Sequence, residues 1–105
     1  MSANRLPPRR KPPKFLHSGA TDIVLWEVVG EWADKHKLSA VEERVMMTAV
    51  TRGITSRAEI GRIVKTHPDT IKCHIRAILR RTGASNMERL TMYVLMDALH
   101  RLLLE

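Results

Sequence analysis

One device recurs three times along this 105-residue chain, and it dictates helices. Ser39-Ala40-Val41-Glu42, Ser56-Arg57-Ala58-Glu59 and Ser85-Asn86-Met87-Glu88 all read Ser-x-x-Glu. In such a capping box the serine hydroxyl accepts from the backbone N–H three residues on. The glutamate carboxylate accepts from the serine N–H in return. One match is weak evidence. Three, each followed by apolar residues at helical spacing, mark three helix starts. After the first box, Val41, Val45, Met46, Ala49 and Val50 make a stripe that ends near Gly53. After the second, Ile60, Ile63 and Val64 make a short one. The third opens a final helix predicted over 86–104. There Met87, Leu90, Tyr93, Val94, Leu95, Leu99, Leu102 and Leu103 are more apolar side chains than one core face requires.

Two more helices follow from periodicity. Within 67–83, Ile71, Ile75, Ile78 and Leu79 fall at i, i+4, i+7 and i+8, a buried stripe. The opposite side carries Asp69, Cys73, Arg76 and Arg80, with Lys72 on its flank. His67 suits the N-cap, Pro68 the first turn and Gly83 the stop. Residues 21–37 form the other helix, apolar around most of its circumference and bearing Trp26 and Trp32. Only Glu27, Glu31, Asp34 and Lys35 make a polar stripe, so this helix requires burial on more than one side. The fold class predicted is all-α.

Residues 1–20 differ in kind. They hold four of the five prolines and the cations Arg5, Arg9, Arg10, Lys11 and Lys14, with no acid. Such a segment is expected to be extended and mobile. It reads as an arm for a phosphate backbone or a minor groove, or equally as a solvated tail with no task.

Charge narrows the function. The net charge is +7, unevenly spread. Between 44 and 81, nine Lys or Arg face only Glu59 and Asp69, whereas 21–43 is acidic. An anionic partner is expected. Cys73 is the only cysteine, which rules out an intramolecular disulfide. No signal-peptide core follows the basic N-terminus and no apolar run spans a bilayer, so the expectation is a cytoplasmic, nucleoid-associated protein with no membrane partner. His67, Cys73 and His74 do not make a metal site, because neighbours on a helix point about 100° apart. No nucleophile–base pair stands out, so neither enzymatic activity nor a cofactor is expected. Met46, Met47, Met87, Met92 and Met96 read as core filler.

Residues 57–82 then read as short helix, tight turn, longer basic helix. That is a helix-turn-helix layout, whose second helix enters the major groove in DNA-binding versions. At this point a resemblance enters. Residues 38–95 look like the LuxR-type helix-turn-helix domain, also called FixJ-like or GerE-like, of bacterial transcription regulators. The residues that carry it are Leu38-Ser39 with Glu42, Arg44 and Val45; Gly53-Ile54-Thr55; Glu59-Ile60 with Val64; Thr70-Ile71-Lys72-Cys73-His74; Ile78-Leu79-Arg80-Arg81; and Gly83 and Ser85 with Glu88. The chain departs from the family pattern in three places. The loop from Gly53 to Glu59 is one residue longer, Lys65-Thr66 replaces glycine and an aliphatic residue in the turn, and Gly61 replaces alanine where the helices touch.

The resemblance implies a DNA-binding transcription regulator reading double-stranded DNA with the helix at 68–82. It puts Lys72, Cys73 and Arg76 at base edges, and Thr70, His74, Arg80 and Arg81 at the DNA backbone. The division is then a tail over 1–20, an extra helix over 21–37 and the family domain over 38–105. A homodimer is expected through the last helix. One of its sides covers a core of Val45, Ile60, Ile75 and Ile78; the other, with Tyr93, Met96, Leu99 and Leu103, would be wet in a monomer. The competing expectation is that the tryptophan helix covers that patch within one chain. The rival function is a protein-binding adaptor that kept the fold and uses the Trp-bearing helix on RNA polymerase or a second regulator.

Overall fold

The computed structural model describes residues 20–53 and 56–104, with side chains from Ile23 onward. Five helices follow in order: α1 (Ala20–Lys35), α2 (Ala40–Arg52), α3 (Arg57–Val64), α4 (Pro68–Thr82) and α5 (Met87–Leu104). No strand occurs among the described residues. The all-α expectation holds. The basic arm assigned to residues 5–14 lies outside the described part.

The caps differ in detail from the expected three boxes. At Ser39 the box is complete: Glu42 N–H donates to Ser39 Oγ at 3.1 Å, and Ser39 N–H donates to Glu42 Oε1 at 2.9 Å. At Ser56 one bond forms, from Glu59 N–H to Ser56 Oγ at 3.4 Å. The third box is a correction. Asn86 caps α5 in place of Ser85, accepting from Arg89 N–H at 2.8 Å through Oδ1. Asparagine caps as well as serine does, and its use starts the helix one residue later. His67 is the N-cap of α4 as expected, with Asp69 N–H donating to its Nδ1 at 3.1 Å. Gly83 closes α4 at φ 79°.

The stripe reading understated α2. Val45, Met46, Met47, Thr48, Ala49 and Val50 are all buried. The reason is position, since α2 touches each of the other four helices. Buried Thr48 stays satisfied by donating to Arg44 O at 2.8 Å. Val41, expected in the stripe, is exposed, whereas the next residue of the same turn, Glu42, is buried. Against α2 pack Ile60 and Val64 of α3, Ile71 and Ile78 of α4, and Leu90 and Val94 of α5.

Helix α1 lies across α2 and α5. It buries Leu25, Trp26, Val28, Val29 and Ala33 and leaves Glu27, Glu31 and Asp34 in solvent. Two contacts pin it to α5. Trp32 Nε1–H donates to Asp97 Oδ2 at 3.0 Å, and the Arg101 guanidinium forks onto the Glu31 carboxylate. This helix therefore covers the core, yet only one side of α5.

The α3–α4 turn needs only Lys65, Thr66 and His67. Lys65 takes the left-handed conformation at φ 58°, and both its N–H and that of Thr66 donate to Gly61 O. An L-residue in this region is strained. The turn is correspondingly tight, and it holds the start of α4 against Gly61.

Candidate nucleic-acid interface

Helix α4 has one face fixed and one face free. Ile71 and Ile78 are fully buried, while Ile75 and Leu79 are partly buried against the core. These four determine what the other side shows. Lys72, Cys73, Arg76 and Arg80 are all exposed, as is Thr70, and His74 is half-buried. Among the described residues no carboxylate pairs with Lys72, Arg76 or Arg80. Asp69 is the one acid on α4, at its first turn and 3.7 Å from His67 Nδ1. The face is thus net cationic, with Asp69 at its start as its one acid, and it is held from behind by branched side chains. Cys73 sits at its middle as a free thiol.

Arg81 departs from its expected surroundings. Its Nη1 donates to Glu42 Oε1 across α2 and α4. The Glu42 side chain is 8 % exposed, and the same oxygen accepts the capping bond from Ser39 N–H. Arg81 thus neutralises a nearly buried carboxylate. Arg81→Ala is expected to destabilise the fold by about 1–3 kcal/mol, because a carboxylate stripped of its charged donor stays out of water. Urea denaturation reads this as a lower midpoint; an unchanged midpoint would show that the pair contributes nothing.

Reading the sequence missed Arg57. It opens α3, is exposed, and borders a hollow shared with Lys72, Arg76 and Asn86. The floor of that hollow is Ile75, Leu79 and Met87. The available signal was that Arg57 directly follows a cap residue, which places it at the exposed start of α3.

The four residues expected at a dimer contact, Tyr93, Met96, Leu99 and Leu103, are 43–76 % exposed. Met92, Leu95 and Leu102 extend the patch, which the heptad-like steps 92, 95, 99 and 102 also connect. Met92 and Met96 are therefore not core filler, in contrast to buried Met46, Met47 and Met87. They fall on the side of α5 turned away from both α2 and α1. A shallow apolar groove runs along Met92, Leu95, Met96 and Leu99 and begins at Glu88, next to the hollow beside α4.

The outward side of α1 is acidic, and its Trp26 is directed inward. No described helix is long and apolar enough to cross a membrane. Compared with models of protein families, with curated proteins and with solved structures, the chain matches none.

Proposed function

We propose that this chain is a sequence-specific, DNA-binding transcription regulator that places α4 in the major groove and works as a homodimer joined through α5. The observation that carries this reading is the outward face of α4. Lys72, Arg76 and Arg80 stand there without acidic partners, on a helix that isoleucines fix to the core. Cations in water gain little by clustering and repel one another. Arrayed on a rigid helix of groove-fitting width, they suit a polyanion whose bound counterions are released on contact.

The resemblance to LuxR-type domains supplies the finer roles. Lys72, Cys73 and Arg76 meet base edges, while Thr70, His74 and Arg80 meet the backbone. Arg81 contributes to the fold through Glu42 in this reading. The protein then acts in the cytoplasm on the nucleoid. The rival adaptor function through α1 has less to draw on, because Trp26 is buried, Trp32 is half-buried and bonded to Asp97, and the outer side of α1 is acidic.

Arg76 is the side chain most suited to bidentate contact with guanine. Arg76→Ala is expected to cost about 1–3 kcal/mol on a selected duplex and to relax preference at one base pair. Fluorescence anisotropy against the selected site and its single-base variants measures both. Unchanged affinity and unchanged preference would reject the assigned face. A salt titration on random duplex separates the two functions: a DNA binder loses affinity steeply as salt rises, whereas the adaptor shows no duplex binding to titrate.

A further inference from the structure

We propose that Arg57 is a phosphate-binding residue, anchoring the DNA strand that passes the α3 side of α4. This rests on the DNA-binding reading above and adds to it a contact from outside α4.

Three observations lead there. First, Arg57 is out of place locally. It occupies the first helical position of α3, after the N-cap Ser56. The N-terminal end of a helix carries partial positive charge, which disfavours a cation and favours an anion. A residue that opposes its local setting, with no compensating ion pair among the described residues, suits a place where something else is bound. Second, Arg57 has no ion pair among the described residues. Third, it stands with the cations of α4. Two shallow hollows border Arg57, and both include Lys72. One continues along α4 to Arg76, the other towards Pro68 at the start of α4.

The ligand chemistry follows. Two flexible cations from different helices, beside a helix N-terminus, fit an oxyanion with several acceptor oxygens. Each hollow also holds one carboxylate, Glu88 in the first and Asp69 in the second. These repel an anion, and Arg57 and Lys72, the two cations common to both hollows, are the favourable seat for it. A backbone phosphate beside a helix lying in the major groove meets that seat. A base edge does not, because Arg57 projects from α3 and lies off the outward face of α4. Arg57 is therefore a positioning contact. It sets how α4 lies in the groove and carries no sequence preference of its own.

The test measures affinity of the full chain for a selected duplex and for random duplex over a range of salt. Arg57→Ala is expected to weaken both alike, by about eightfold per subunit at 0.1 M salt, and to make the slope of log K against log[salt] shallower by about 0.9 per subunit. Arg57→Lys keeps the charge and is expected to keep the slope. Lys35→Ala, at the exposed end of α1, removes an equal charge elsewhere and is expected to leave the slope as it was. If the unaltered protein binds duplex and Arg57→Ala retains affinity and slope, Arg57 is not a phosphate contact, and the role of α4 stands. If Arg57→Ala loses affinity for the selected site alone, with the slope kept, it reads a base and the proposal is overturned. If the unaltered protein binds no duplex, the DNA-binding reading falls and takes this one with it.

Discussion

Gly61→Ala is expected to destabilise the protein by about 2–3 kcal/mol, where helix propensity alone would predict a gain of about 1 kcal/mol. A Cβ on residue 61 would meet the backbone oxygen of Thr66 at 2.4 Å, with Ile71 Cγ1 at 3.5 Å and Pro68 N at 3.6 Å. The offending atom belongs to the turn backbone, so no side chain can rotate away. Nor is the turn free to yield. Thr66 N–H is held by Gly61 O at 2.8 Å, and Lys65 is already in the left-handed region. Relief requires α4 to move off α3, which pulls Ile71 from the core. Thermal unfolding should show a midpoint roughly 10 °C lower. A midpoint equal to or above that of the unaltered protein would mean that α3 and α4 do not approach this closely.

The second large effect concerns assembly. Leu99→Asp is expected to convert the proposed homodimer into a monomer and to reduce affinity for an inverted-repeat duplex by about a hundredfold, with affinity for a single half-site unchanged. Leu99 is 56 % exposed, so the fold does not depend on it, and it lies in the middle of the apolar patch on α5. A carboxylate there has no partner once a second copy covers it, and burying it costs several kcal/mol. Loss of the second half-site contact then removes an avidity gain of about 10²–10⁴. Sedimentation equilibrium at micromolar concentration gives the assembly state, and titration of half-site and full-site duplexes gives the rest. A monomer before substitution, with no pairing on DNA, would exclude the dimer.

The helices were legible because their ends are written in local chemistry. Ser39, His67, Pro68, Gly53 and Gly83 act within one turn of their own backbone, and each does so in the structure. Asn86 went unread because the Ser-x-x-Glu pattern favoured Ser85, one residue earlier, although either side chain can cap. The two faces of α4 were legible for a similar reason, since one stripe of isoleucines fixes them both. Arg81 was not. Nothing near it in sequence reveals Glu42, 39 residues away, as its partner. The burial of α2 on nearly all sides was likewise a tertiary matter, decided by four neighbours rather than by its own periodicity. The methionines divided for the same cause. Met46 and Met87 face neighbouring helices, whereas Met92 and Met96 occupy the side of α5 that α1 does not reach. Arg57 was hidden by its own cap, because a residue inside a capping box reads first as part of a helix start.

The central claim is that the outward face of α4 meets duplex DNA, and amide chemical-shift mapping of the full chain during titration with duplex tests it most directly. The account predicts that the largest shifts fall on α4 from Thr70 to Arg80 and on Arg57 at the start of α3, while Glu27, Glu31 and Asp34 on α1 stay unmoved. Shifts confined to α1 or to the apolar side of α5, with Lys72, Cys73 and Arg76 silent, would contradict it.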